Sequence, residues 1–381
     1  GDVYKRQGRQ VRSHHRPLKG QGGFAERPSD RLREHHSPGS DNGGTAQGHS
    51  FLGANSRSAG DKGRETRDVS NQTQREARIL VTPERDGVRL DVFLAATTSL
   101  SRRAARRMIA DGLVFRNREE LRVQSRMLET GDVIEVHLPA SDFEVKTGQP
   151  FTPINPIFED RWLIVAAKPP GVLSQPAERQ RTGDRPAFDQ QLLLSLAWRD
   201  GRRPFLRLVH RLDRMTSGAM LFARSPDVLP QLSRAWASGQ VERFYLAVIE
   251  GHPESDAFTI DRPIGRDRDH RWRFQCEDGG KPSRTEIEVL ARLENGLSVV
   301  GCRLITGRTH QVRVHLSAAG YPVHGDRLYD SKRPDMAPRP LLHATALSLP
   351  HPAADKILRV VCPPPVDLAD YLPEDLDFSN L

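Results

Sequence analysis

A single carboxylate stands between two guanidiniums in the run HRLDRMTSG at 210–218, where Asp213 is flanked closely by Arg211 and Arg214. Neighbouring guanidiniums favour the anionic form of a carboxyl group and can hold it in bidentate geometry. An ionised carboxylate held this way can attack an electron-poor carbon or take a proton beside it. It can also stabilise oxocarbenium-like charge, as glycosidase carboxylates do. A two-carboxylate hydrolase needs a second acid close by, and the nearest, Asp227 and Glu242, have no evident pairing with Asp213. Taken alone, the tripeptide Arg-Leu-Asp reads equally well as a turn or cap with surface arginines.

The composition indicates what such a site would act on. The formal charge of +8, from 57 Lys and Arg against 49 Asp and Glu, favours a polyanionic partner, because each phosphate neutralised by a cation releases a condensed counterion. At 381 residues and 36% hydrophobic, the chain can bury a sizeable core and carry an accessory module, so two folded domains are expected. Cys276, Cys302 and Cys362 lie far apart without a Cys-x-x-Cys spacing. That argues against a disulfide framework or a thiolate metal site and points to a reducing compartment. No run approaches the roughly 20 apolar residues of a membrane helix, and no apolar leader opens the sequence, so a cytoplasmic protein is expected.

Residues 1–76 are dominated by Gly, Ser, Arg, Asp, His and Gln, with scarcely an apolar side chain beyond Phe24, Phe51 and Leu52. The expectation is a disordered, low-complexity tail without a catalytic role. A compact unit is expected over 77–140. Within it, SLSRRAARRMIADGLV puts Arg102, Arg103, Arg106 and Arg107 on one helical face, opposite Ala104, Ala105, Met108 and Ile109. Like charges four apart repel by a few tenths of a kcal/mol per pair, so the cluster suggests an anion that offsets the repulsion. GLVFRN and GDVIEVHLP read as short strands. Residues 141–153 read as a linker, 154–372 as a second domain and 373–381 as a C-terminal tail. The second domain offers strands at WLIVAA (stopped by Pro169-Pro170), GAMLFAR, FYLAVIEG, RTEIEVLARL and GLSVVGCRLI, with helices at 228–239 and 310–320. An antiparallel-rich α+β domain follows.

HRLDRMTSG, RFYLAVIEG at 243–251 and TGRTHQVRVH at 306–315 together resemble the RluA-type family of RNA pseudouridine synthases over roughly 155–352. The order of helix, arginine-rich helix and strands over about 85–139 resembles the S4 RNA-binding domain. The resemblance implies an α+β fold: an antiparallel-rich, mixed-sheet catalytic domain preceded by a small S4-like α/β RNA-binding domain. The implied reaction breaks the bond between uracil N1 and ribose C1′, rotates the base and rejoins it through C5, with no redox change and no cofactor. Asp213 would be the nucleophile or base. Tyr245 would stack on the flipped uracil and could relay a proton, Arg308 would pair with Asp213, and Arg211 would position or displace the base. Arg102, Arg103, Arg106 and Arg107 would bind RNA. Lys168, in AAKPPG, would either line the cleft or brace the double proline. Two departures from the family's commonest pattern, Arg243 where lysine is frequent and the segment GKPSRTE, fall on none of the implied catalytic groups.

His210, His310, His315, His324 and His343 raise a metal centre as another possibility. His310 and His315 are five apart, about 140° around a helix, and so do not converge on one ion as an i, i+4 pair would. Hydrogen bonds to backbone or RNA are expected instead, and no metal. The expected protein is therefore a monomer acting on RNA away from membranes. Large-subunit rRNA is the favoured substrate because S4 modules are commonest in that branch, and tRNA is the alternative. A catalytically silent RNA-binding assembly factor and a nucleosidase that releases uracil are the rival readings.

Overall fold

The structure, a computed structural model, describes residues 75–138, 152–177, 185–374 and 376. The expected tail of 1–76 lies outside the described residues except for its last two, which open a strand. Of the expected 141–153 linker, only Thr152 and Pro153 are described.

The smaller unit runs β1 (Arg75–Leu80), α1 (Leu90–Thr97), α2 (Arg102–Ala110), β2 (Val114–Arg116), β3 (Glu119–Glu120) and β4 (Val133–Leu138). Its four strands lie in the order β1-β4-β2-β3; β1, which the sequence reading did not pick out as a strand, begins two residues before the expected start of the unit. Both helices pack on this sheet through Leu90, Phe93, Leu94, Ala105, Met108 and Ile109, against Val114, Ile134 and Val136. The three- to four-residue spacing of those apolar positions is what makes the two short segments amphipathic helices. Ser101 caps α2 by accepting a hydrogen bond from Ala104 N at 3.2 Å. The two-residue turn between β2 and β3 puts Asn117 and Arg118 in the left-handed region. Its side chains reach the larger unit: Asn117 Oδ1 accepts from Arg203 N at 2.9 Å, and Arg118 Nη2 donates to Asp200 O at 2.6 Å.

The larger unit continues with β5 (Phe158–Glu159), β6 (Leu163–Lys168), α3 (Phe188–Asp200), β7 (Arg207–Leu208), β8 (Ser217–Ala223), α4 (Leu229–Ala237) and β9 (Glu242–Glu250). Then follow β10 (Ala257–Asp261), β11 (Ile264–Arg266), β12 (Phe274–Cys276), β13 (Arg284–Arg292), β14 (Leu297–Leu304), α5 (Gln311–Ala318), β15 (Leu342–Pro350), β16 (Ile357–Val361) and α6 (Val366–Ala369). Ten of the strands form one sheet with the path β10-β13-β14-β9-β15-β8-β6-β5; β16 pairs with β15 and β7 with β8. Every pairing in that sheet is antiparallel except β15 with β8. The architecture is thus the expected antiparallel-rich, mixed-sheet α+β fold. Its core lies on both faces: Leu163, Val165, Leu221 and Leu232 pack on one side, and Ile164, Phe188, Leu192 and Phe222 on the other. That two-sided burial explains why β8, SGAMLFA, is buried along its whole length and shows no apolar–polar alternation. Helix α3, which the sequence reading did not pick out, covers the second face; its apolar residues are interrupted by polar ones at Asp189, Gln190, Gln191 and Ser195.

The parallel contact of β8 with β15 requires one residue in particular. A Cβ at Gly218, whose φ is +128°, would lie 2.3 Å from Ala344 O, so only glycine lets the strand that follows the Asp213 loop approach β15.

Candidate active site

The loop carrying Asp213 leaves β7 and enters β8, and it is tied down on several sides. Asp213 O accepts from Thr216 N at 3.1 Å, closing a turn. Ser174 Oγ donates to Leu212 O at 2.7 Å and accepts from Leu212 N at 3.0 Å. The buried Lys168 Nζ donates to Pro169 O and Val172 O, both at 2.9 Å, and to Arg214 O at 3.1 Å. Arg214 in turn donates from Nε to Gly171 O at 3.0 Å, and Gly171 N donates to Arg214 O at 2.8 Å. Of the two roles weighed for Lys168, the structure selects the brace: its three donors are spent on three carbonyls that join the double-proline turn to the Asp213 loop. Burial pushes its ammonium down to about 7, with the charge of Asp213 pulling the other way.

Asp213 keeps a quarter of its side chain exposed and opens onto a cleft of about 470 Å³. It is the one carboxylate among the described residues lining that cleft, where it faces His210, Arg211, Arg214, Arg243, Tyr245, Arg308 and His310. Its ion pair is with Arg313, whose Nη1 lies 3.2 Å from Oδ2. Arg313 is itself fixed by the buried Asp326, through Nε at 2.6 Å and Nη2 at 2.9 Å. Two of its nitrogens are thereby locked in a fork and the third is aimed at Asp213. Burial alone would lower the Arg313 pKa, but Asp326 and Asp213 outweigh it and raise it further. His310 Nε2 lies 3.7 Å from the same Asp213 oxygen, while its Nδ1 is 2.7 Å from Tyr329 Oη. Tyr329 Oη also accepts from Phe274 N at 3.0 Å, so its own proton is free to point at His310 Nδ1. With the hydroxyl proton so directed, the His310 proton would sit on Nε2, toward the carboxylate.

This arrangement corrects one expectation. Arg308 does not pair with Asp213: its Nε donates to Pro282 O at 3.2 Å and its side chain is exposed at the edge of the cleft. It sits in the turn before α5, whereas Arg313 sits inside the helix on the buried side, and only the buried position can hold a guanidinium against both carboxylates. A signal for Arg313 was present, since an arginine set between Val312 and Val314 in an apolar helix is a candidate for a buried, paired charge. Arg211 is exposed and lines the cleft. Tyr245 projects from β9 into the same cleft with its ring against the core. Burial pushes its phenol up to about 12, so at neutral pH the hydroxyl is protonated and is a donor.

The remaining histidines each have a local partner. His315 Nδ1 is 2.9 Å from Thr285 Oγ1, His324 Nδ1 is 3.1 Å from Glu250 Oε1, and His343 Nδ1 is 2.9 Å from Ser217 Oγ. No group of three or more His, Cys, Asp or Glu with metal-binding geometry occurs among the described residues. Nor is any helix among them long and apolar enough to cross a membrane.

In the smaller unit the four arginines of α2 divide into two pairs. Arg102 and Arg106 both reach the fully buried Asp91, at 3.0 and 2.8 Å. Burial alone would raise the Asp91 carboxyl, but hydrogen bonds from Arg89, Arg106 and Arg102 outweigh it and hold it well below the usual carboxylate range. The anion that offsets repulsion on this helix is thus partly supplied by the chain itself. Arg107 is far more exposed and, among the described residues, pairs with Asp111 at 3.8 Å; Arg103 is exposed as well. A double Arg103→Gln, Arg107→Gln chain is expected to weaken RNA binding and flatten its salt dependence without loss of stability. The pair Arg102→Gln, Arg106→Gln should instead lower the unfolding midpoint, because Asp91 would stay buried with Arg89 alone. Paired salt titrations and urea melts check both, and equal salt slopes in all chains would reject α2 as an RNA contact.

A family model described as RNA pseudouridylate synthase matches residues 162–318, and an S4 domain model matches 88–134. An uncharacterised RNA pseudouridine synthase of Bacillus subtilis is 30% identical over 302 residues, which are 78% of this chain and 97% of that protein. One of Aquifex aeolicus is 36% identical over 248 residues, 64% of this chain and 77% of its own length. The ribosomal large subunit pseudouridine synthase D of Nitrosomonas europaea is 36% identical over 228 residues, 58% of this chain and 64% of its own.

Proposed function

The chain belongs to the RNA pseudouridine synthase family, and from that premise we propose that it isomerises specific uridines of structured large-subunit rRNA, with Asp213 as the reacting carboxylate. The observation that carries this reading is the placement of one carboxylate, paired with Arg313, in a cleft that Tyr245 also lines and whose other charged lining residues are arginines. In the reaction the N1–C1′ bond breaks and uracil departs with the electron pair. Asp213 either forms an ester at C1′ or removes the C2′ proton, and Arg313 pairs with the carboxylate and aims it for either step. The detached base turns against the Tyr245 ring and C5 bonds to C1′, which releases the Asp213 carboxylate from C1′ in the first route and, in the second, is accompanied by return of the proton from Asp213 to C2′. The C5 proton is then lost and N1 gains one, so the atoms balance without a cofactor. The protonated Tyr245 hydroxyl suits donation to the base better than proton removal. Arg211, exposed at the cleft mouth, would occupy the space left in the RNA stack by the extruded uridine, and Arg308 would contact the RNA beside it. The S4-like unit would grip RNA through α2. The choice of rRNA is supported by the name of the Nitrosomonas relative and by the S4 match.

Pseudouridine mapping of total RNA from cells with and without the protein tests the reading. Defined large-subunit rRNA uridines should lose modification and regain it on complementation. Loss confined to tRNA would keep the chemistry and overturn the substrate. No change at any site would favour a silent RNA-binding factor, and release of free uracil from RNA would favour a nucleosidase.

A further inference from the structure

Two buried donors in the cleft have no side-chain acceptor among the described residues. Arg243 is only 5% exposed and lines the cleft two residues from Tyr245 on β9, so both side chains leave the same face of the strand. Its Nη2 donates to Leu304 O at 3.1 Å and Ile305 O at 3.3 Å, but its Nε is buried without a partner. No carboxylate pairs with it among the described residues, unlike Arg313, and its guanidinium lies over Trp236 at 5.2 Å. His210 is 7% exposed, stacks on Trp236 at 4.1 Å and accepts from Leu221 N at Nε2, 3.0 Å away. Its proton is therefore on Nδ1, a buried atom beside the Arg211 main chain with no side-chain partner among the described residues.

A buried cation without a counter-ion and a buried N–H without an acceptor are each destabilising. Found together at one cleft, they describe a site shaped for an anion that arrives with the ligand. Gly307 is part of the same device: a Cβ there would lie 2.5 Å from Arg243 Nη1. Asp213 cannot serve as the missing anion, because it is engaged by Arg313. We propose that Arg243 and His210, set against Trp236, form a subsite for one backbone phosphodiester adjacent to the uridine that Tyr245 faces. The subsite rests on the RNA-modifying reading and deepens it, since phosphodiesters are the only anionic groups along an RNA chain. Arg243 lies about 7 Å along the strand from Tyr245, so the base and the phosphate engaged would belong to the same or the adjoining nucleotide. One docked phosphate would then set the register in which a uridine meets Asp213.

The test uses the full chain and a stem-loop RNA with single-stranded loop uridines, carrying a neutral methylphosphonate at one linkage at a time. For the wild-type protein one linkage near a loop uridine should weaken binding roughly tenfold or more, and the same linkage should cost nothing further in Arg243→Gln. Arg243→Gln should also flatten the log–log salt slope by about 0.7 to 0.9, whereas Arg243→Lys should keep it. Inorganic phosphate at matched ionic strength should raise the melting temperature of the wild type and not of Arg243→Gln. A wild-type chain insensitive to every methylphosphonate overturns the subsite, whatever the variants do. A chain that makes no pseudouridine yet shows the linkage penalty and the phosphate effect would overturn the catalytic reading and leave the subsite standing.

Discussion

Asp213→Asn is expected to reduce pseudouridine formation by roughly 10³-fold or more while RNA affinity stays within a few-fold. Asparagine keeps the size and one oxygen of the side chain but can neither attack C1′ nor take a proton from C2′. The loop that carries it should persist, because its anchors from Ser174, Lys168 and Gly171 all go to main-chain atoms of Leu212 and Arg214. Binding should survive because the arginines lining the cleft are untouched, and removing a negative charge from among them can only help a polyanion. Single-turnover assays on an rRNA transcript, alongside filter binding, read both quantities. Undiminished turnover would sink the assignment of Asp213, and a collapse of binding would recast it as a structural residue.

The second large effect concerns the fork beneath Asp213. Arg313→Gln leaves Asp326 fully buried without two of its donors and takes the partner from Asp213, so it should cost about 3 to 5 kcal/mol of stability as well as activity. The double change Arg313→Gln, Asp326→Asn removes both buried charges. It should recover most of that stability, since two neutral amides can hydrogen-bond where the ions did, yet it should stay catalytically impaired because no guanidinium then aims Asp213. Urea unfolding and turnover on the three chains separate the two contributions. A stable double variant with normal turnover would show that Arg313 braces the fold and does not serve Asp213.

What could be read from local sequence reflects interactions of short range. The apolar runs WLIVAA, GAMLFAR and FYLAVIEG occur as strands because they are long enough, β-branched or aromatic enough and bounded by breakers. The apolar–basic split of α2 and the helix ending at Gly320 follow from a 3.6-residue period. Helix α3 escaped notice because its apolar positions are interrupted by the half-buried Asp189, Gln190 and Gln191 and the buried Ser195. LHATALSLP, which forms β15, was passed over although it is the strand on which β8, β9 and β16 all register. The cleft was legible in part. The motifs named Asp213, Tyr245, Arg211 and Arg308, and all four line it. They did not name Arg313 or Asp326, and they gave no reason to connect Arg243 with His210.

By itself the sequence determined which strongly patterned segments become helices and strands, that an arginine-flanked carboxylate is available, and that a polyanionic partner is favoured. These follow from side-chain type, periodicity and net charge, each of which acts within a few residues or through the composition as a whole. Only the tertiary structure decided that Arg313 and not Arg308 meets Asp213 across 100 residues of chain, that Asp91 pairs with two of the four α2 arginines, and that Arg243 is buried with no counter-ion among the described residues. The reason is physical. Whether a charge is paired or left alone depends on what the fold brings within about 4 Å of it and on how much water it excludes, and neither is written in the neighbours along the chain.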